Sequence, residues 1–304
     1  EEIELPENGY RGEYLIDIAR ELRTEFGDAL RQLDEVARIA RFTGLGKEKM
    51  LAWQRQTLAD LGIRFDAWFS EQSLHAGGRG DRAVERLRHG GHTYEADGAL
   101  WLKSTTFGDD KDRVLVRSNG QATYLASDIA YHIDKFERGF ARVIDIWGAD
   151  HHGHIPRMKA GLAAVGLEPT RLEVLIYQIV RLFEGGEERK VSKRAGDLIT
   201  VNEVMEEVGA DAVRFFFLMR SHDSHLDFDL DLAKKQSADN PVFYVQYGHA
   251  RICSLLREAE ERGARSEAAD MSLLTDPQES ALMRKLADLP EEIELAVTRG
   301  EPHR

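Results

Sequence analysis

Between Arg142 and Gly166 the alternation of apolar and polar positions changes character twice. Val143, Ile144, Ile146 and Trp147 make a short, mostly apolar run, which reads as a strand buried on both faces. Gly148 breaks the run, and a polar cluster follows in Asp150, His151, His152 and His154. Pro156 fits the first turn of a helix that continues from Arg157 to Val165 and stops at Gly166. Strand, glycine turn and helix start together predict an α/β crossover. In such sheets the ligand crevice lies beyond the carboxyl ends of the strands, and helix-start N–H groups favour an anion there.

The remaining pattern divides into a mixed region and a helical one. Tyr14, Ile18, Leu22 and Phe26 recur every four residues and mark one helix face. Leu30 to Phe42 and Lys47 to Leu61 predict two more helices, punctuated by Gly44 and Gly46. Ile63, Phe65, Ala67 and Phe69 alternate with Arg64, Asp66, Trp68 and Ser70, as in a strand at a surface or cleft. Asp81 to His89 predicts a helix and Ala99 to Lys103 a strand. The segments VLVRS and QATYLA flank Asn119-Gly120, a hairpin signal, and Asp128 to Glu137 predicts the next helix. Asp128 follows Tyr124 by four residues near that strand-to-helix junction, so both side chains can face one cleft. Leu172 to Val180 predicts a second buried strand. Thr200 and Glu203 form a capping box for a helix ending at Gly209, and Asp211 to Arg220 gives another. His222 and His225 read as an interdomain linker. A long helix is expected from Pro241 past Leu256, with Val242, Val245, His249, Ile252 and Leu256 near one face. A further helix is expected from Pro277, capped by Asp276 and Glu279. No strand signal follows Leu230. The expected division is therefore an α/β domain over 1–228, with a helical insertion near 10–61, and a helical domain over 229–304.

Composition changes this picture only modestly. Among 304 residues, 41 basic and 54 acidic side chains give a formal charge of −13, which argues against a general nucleic-acid coat but not against a local basic patch. The single cysteine, Cys253, excludes disulfides and a Cys-rich zinc site, and points to a reducing, cytoplasmic setting. There is no signal peptide and no apolar run of about eighteen residues, so no membrane association is expected.

Three groups carry candidate chemistry. Asp150, His151, His152 and His154 suit substrate binding at a strand end; adjacent ligands in a turn rarely converge on one metal ion, so no metal site is expected. A solvated loop remains the plain alternative. In KVSKRAG, together with Arg189, four cations fall within six positions around Ser192, which suits a pyrophosphate or triphosphate, or else a charged hairpin loop. No GxxxxGK[ST] pattern occurs. Asp128 would attract a cationic group, and Tyr124 offers a hydroxyl and a ring face; a helix cap and a core-edge tyrosine are the alternative.

The stretches GYRGEYLIDIA, FDAWFSEQSL, FGDDKDRVLVRSNGQATYLASDIAYH, WGADHHGHIPRMKAG, KVSKRAGD, DAVRFFFLMRSHDSHLDFDLDLA and NPVFYVQYGHARI extend over nearly the whole chain. They resemble the arginyl-tRNA synthetases, class I aminoacyl-tRNA synthetases. The resemblance implies the C-terminal part of a Rossmann-like α/β catalytic domain, followed by the start of an all-α anticodon-binding domain. It implies ATP-dependent activation of L-arginine, with Mg²⁺ accompanying the ATP, and transfer to tRNA(Arg) by a monomer. Lys190 to Arg194 would be the family's KMSKS-type loop, with Val191 in place of Met and Arg194 in place of the final Ser. Lys193 and Lys190 would be its catalytic cations, with Val191 and Ser192 beside the ATP. Gly148, Asp150, His151 and His152 would line the ATP site, and Asp150 the arginine site as well. Tyr124 and Asp128 match the family's arginine-recognising pair, and a carboxylate there suits the guanidinium fork. The tRNA path is expected around Tyr244, His249 and Arg251.

One departure stands out. The family's HIGH-type motif is not found: no His-x-Gly-His precedes residue 150, and the only similar spacing is His151-His152-Gly153-His154. The expectation is that the first half of the nucleotide fold lies upstream of Glu1, and that this chain alone does not form arginyl-adenylate at a normal rate. Two alternatives stay open. One is another class I synthetase or a nucleotidyltransferase of the same fold, which would not need the Tyr124/Asp128 pocket. The other is a non-catalytic tRNA-binding or scaffold fragment derived from a synthetase.

Overall fold

The computed structural model describes residues 12, 14–189, 199–264 and 269–304. They form two compact units, one of residues 65–179 with 222–225, the other of residues 1–64, 180–221 and 226–304.

In the second of these units, α1 (Tyr14–Phe26) buries Leu22 against Leu30 and Leu45, with Ile18 and Phe26 beside them, so the four-residue spacing does mark the packed face. The helix α2 (Glu35–Asp60) is capped by Asp34, whose side chain accepts from the Ala37 amide at 2.9 Å. It runs straight through Gly44 and Gly46, where a break was expected. A glycine inside a helix costs only about 1 kcal/mol, which the flanking turns absorb.

The 65–179 unit follows. Its start corrects one expectation: Ile63 to Phe69 contains no strand despite its alternation. Phe65 packs edge-on against Trp68, and Phe69 stacks on Tyr131 at 4.2 Å, so the aromatic positions are used without a ladder. After α3 (Gln72–Ala76) and α4 (Arg79–His89), β1 (Thr93–Ala96), β2 (Ala99–Leu102) and β3 (Arg113–Val116) form an antiparallel sheet in that order. Asp97 and Gly98 turn β1 into β2, both at positive φ, as a two-residue hairpin of this hand requires. Asn119-Gly120 also turns the chain, but the return leg makes only one bridge, Val116 to Ala122. Helix α5 then starts at Tyr124 and runs to Glu137, four residues earlier than expected. Thr123 precedes it in an extended conformation, and its hydroxyl donates to the Val114 carbonyl at 2.8 Å, pinning the helix start to β3.

β4 (Val143–Gly148), α6 (His154–Ala164) and β5 (Leu172–Tyr177) make the expected crossover, the two strands pairing in parallel from Val143↔Leu172 to Gly148↔Tyr177. β4 is not buried on both faces. Val143 and Asp145 point into the protein, whereas Ile144 and Ile146 are exposed, Ile146 at 67%. The core beneath joins Leu87, Leu102, Leu115, Ile129, Met158, Leu162 and Leu172. Helices α5 and α6 approach closely: a Cβ placed on Gly161 would come within 2.6 Å of the buried Ile129 side chain.

The apolar run that includes Leu172 to Val180 is split. β5 ends at Tyr177, the Gln178 amide bonds the His222 carbonyl at 3.0 Å, and β6 (Val180–Glu184) begins anew in the other unit. There β7 (Glu187–Glu188) pairs with β6 through the Gly185-Gly186 turn, and α7 (Val201–Val208) starts at the expected capping box. After α8 (Ala210–Leu218) and the junction of His222 and His225 read as a linker, the LDFD segment forms β8 (Leu226–Asp229), parallel to β6. Phe228, Leu230, Val213 and Phe216 pack as the local core. The Asp229 side chain caps α9 (Leu230–Lys234), so the expected 228/229 boundary falls inside β8. The long helices α10 (Pro241–Glu261) and α11 (Pro277–Arg299) begin at the expected prolines, α11 with the expected Asp276 cap and α10 with an Asn240 cap that had not been read from the sequence. Their apolar rows, including Ile252 and Leu256 on α10 and Leu286 and Ile293 on α11, are exposed.

Candidate active site

An open cleft of about 1480 Å³ lies at the carboxyl ends of β4 and β5. Its position follows from the crossover, since the loop after β4 must leave the sheet there. Gly148 closes β4 opposite Tyr177, and both line the cleft. The Asp150 carboxylate folds back over Gly148, where an added Cβ would lie 2.8 Å from it and the exposed Asp150 side chain would have to swing aside. A short 3-10 turn, Ala149–His151, then delivers Asp150 and His151 to the rim, their side chains 3.6 Å apart. His152 is exposed and does not line the cleft.

Helix α5 forms another wall. Tyr124 is its first residue and Asp128 its fifth, one turn apart on one face, and both line the cleft. Tyr124 is 78% exposed, with its ring and hydroxyl open to solvent. The Asp128 carboxylate accepts from His154 Nε2 at 2.9 Å. The His154 ring in turn sits 5.3 Å from that of Trp147. Arg117 and Arg157 add positive charge to the lining.

Deeper in the same cleft, Asp145 is buried in the middle of β4. His132 Nε2 lies 2.7 Å from one of its oxygens, and Lys135 Nζ donates to the other at 2.6 Å. Burial alone would raise the Asp145 carboxyl, but His132 and Lys135 outweigh it and hold the group below the ordinary 3.8. His132 Nδ1 faces the Asp128 backbone carbonyl at 2.7 Å, tying this buried trio to the helix turn that carries Asp128. Nearby, Arg113 grips Asp109 through two hydrogen bonds and holds its carboxyl well below the usual range.

The structure thus gathers Tyr124, Asp128, Gly148, Asp150 and His151 around one cleft. Lys190, Val191, Ser192, Lys193 and Arg194 lie outside the described residues. Trp147, Tyr177 and Arg157 were not singled out as site residues from sequence, and His154 only as a member of the polar cluster. Only His154 had a visible signal, its place in the polar cluster, and nothing in the spacing tied it to Asp128. Among the described residues, no three His, Cys, Asp or Glu side chains are grouped to hold a metal ion, and no helix is long and apolar enough to cross a membrane.

Residues 43–224 match the model of the catalytic domain of tRNA synthetases class I (R). The chain belongs to this synthetase family. Residues 245–304 match the DALR anticodon-binding domain, so a class I synthetase catalytic domain is followed here by an anticodon-binding module. An arginine–tRNA ligase of Heliobacterium modesticaldum is 52% identical over 310 residues, covering 100% of this chain and 55% of that protein. One from Moorella thermoacetica is 51% identical over 307 residues, with the same coverage. The synthetase chain thus spans about half the length of the curated relatives it matches. Among solved structures, an arginyl-tRNA synthetase from Campylobacter jejuni superposes with a TM-score of 0.89 at 36% identity, covering 100% of this chain and 66% of that one. The Thermus thermophilus arginyl-tRNA synthetase superposes at 0.74 with 22% identity over 95% of this chain and 57% of that one, a likeness of fold.

Proposed function

We propose that this chain carries the L-arginine site of an arginine–tRNA ligase, which activates arginine with ATP and Mg²⁺ and loads it onto tRNA(Arg). The observation that carries the reading is the pairing of Tyr124 and Asp128 on one face of α5, opening into the cleft beyond β4. Asp128 meets the guanidinium, Tyr124 covers the side chain, and Asp150 takes the ammonium end. Gly148, Asp150 and His151 flank the nucleotide, His152 lies outside the cleft lining, and Lys190, Val191, Ser192 and Lys193 serve the phosphates. The arginine carboxylate attacks the α-phosphorus, the bond to the bridging oxygen breaks, and pyrophosphate leaves; Mg²⁺ bound with the ATP would neutralise phosphate charge. No enzyme nucleophile is needed, so the residues act by positioning and by balancing charge. The tRNA lies along α10 by Tyr244, His249 and Arg251, and the catalytic domain ends near residue 228. The protein works as a monomer in the cytoplasm.

Calorimetric titration of the chain with L-arginine, L-lysine and L-citrulline tests this reading. Arginine is expected to bind in preference to both, and Asp128→Ala to weaken it by at least about tenfold. Equal binding of citrulline and arginine, or an unaffected Asp128→Ala variant, would overturn it.

A further inference from the structure

We propose that His154 is a positioning residue for side-chain selectivity: it fixes the plane of the Asp128 carboxylate so that both oxygens present a fork to a guanidinium. The inference rests on Asp128 being the guanidinium contact.

An aspartate in a cleft does not orient itself. Its terminal torsion is broad and roughly two-fold, so a free carboxylate samples many planes. An ammonium group is indifferent to this, because it is a point charge. A guanidinium is not, because its two parallel N–H bonds need both oxygens in one plane. Among the described residues, Asp128 has one side-chain partner holding its carboxylate: His154 Nε2 reaches Oδ2 at 2.9 Å. That bond uses one lone pair of Oδ2. The second lone pair of Oδ2 and both of Oδ1 stay free for a fork.

His154 is itself held firmly. It opens α6, and its ring leans on Trp147 at 5.3 Å with planes 48° apart. Gly161 lies two turns further along the same face of α6, where Ile129 presses against its backbone. Ile129 adjoins Asp128, so the close approach of α5 and α6 sets the spacing of the pair. The exposures distinguish a positioning bond from a plain staple between helices. The His154 side chain is 18% exposed, whereas Asp128 is 43% exposed and lines the cleft. The buried partner serves the open one.

The test compares wild-type full chain, His154→Leu, His154→Gln and Asp128→Ala by calorimetry with L-arginine and L-lysine, with thermal unfolding as a check on folding. Glutamine can donate from nearly the position of Nε2; leucine cannot. His154→Leu is expected to weaken arginine binding by about tenfold and to change lysine binding by less than about twofold. His154→Gln is expected to recover most of the arginine affinity. Wild-type arginine affinity in a folded His154→Leu variant, alongside a defective Asp128→Ala, would overturn the positioning role while leaving Asp128 as the contact. Equal losses for arginine and lysine would also overturn it, as would a folded His154→Gln no better than leucine. If His154→Leu unfolds, glutamine decides alone: near-wild-type arginine affinity with retained preference over lysine supports the role, and loss of that preference overturns it. An Asp128→Ala variant that still binds arginine normally removes both the contact and its positioning residue.

Discussion

Asp145 is a charged residue in the middle of a strand, and its neighbours explain how it stays there. His132 and Lys135 occupy its two oxygens, and together they hold its carboxyl below the ordinary 3.8. A carboxyl lowered on folding stabilises the protein above its unfolded value, and that contribution drains away as pH falls through the lowered folded value. Below about pH 3.8, wild-type stability is therefore expected to fall partly through this residue. Asp145→Asn should lose about 3 kcal/mol at pH 7, since it removes the charge that balances Lys135 and turns one acceptor oxygen into an NH2 group, and should show a shallower acid slope. Urea denaturation across pH 2 to 7 checks both expectations. The residue itself was hidden in the sequence. A polar position between Ile144 and Ile146 looked like an interruption in an apolar strand, and its partners come from another helix. Tyr124 and Asp128 were easier, because they fall close together at a strand-to-helix junction, although that they share one helical turn was not read.

At the scale of elements, caps were legible and glycines were not. Thr200 and Asp276 each begin a helix at the expected position, because a cap acts on amides two or three residues away. Gly44, Gly46 and Gly161 look alike as letters, yet they do different work. Nothing lies within 4 Å of a Cβ on Gly46, whereas one on Gly161 would strike Ile129. Gly46→Ala is expected to stabilise the protein by about 0.5–1 kcal/mol, and Gly161→Ala to destabilise it by about 1–3 kcal/mol. Denaturant midpoints measured on the two variants together give opposite signs if this reading holds. The early start of α5 escaped the pattern for a related reason. Thr123 and Tyr124 favour strands locally, but the Thr123 hydroxyl is committed to β3 and the helix begins there. The four residues of β8 are short enough to pass for a loop, and their partner β6 lies 46 positions earlier.

Across the whole molecule, net charge says little about where a polyanion would lie. The formal charge is −13, yet α10 carries Arg251 seven residues after Tyr244, on the same exposed face. His249 sits roughly 140° further round the helix from Tyr244 and lies against Cys253 at 3.6 Å. If the proposed tRNA path is right, Arg251→Ala should weaken tRNA binding and reduce the slope of log affinity against log salt by about one. Filter binding between 50 and 200 mM salt measures that slope.

The division into two units also orders events in time. Residues 65–179 are contiguous apart from the return at 222–225, so they can condense from nearby contacts soon after they are made. The helices before them pack on one another through Leu22, Leu30 and Leu45, but the unit they belong to is completed only later. Arg214 on α8 reaches back 153 residues to the carbonyl of Leu61, and the rest of that unit is translated after position 179. The end of α2 at Leu61 therefore waits for a contact supplied 153 residues later in the chain, and until then the apolar side chains of that unit's incomplete core are the ones a chaperone would meet.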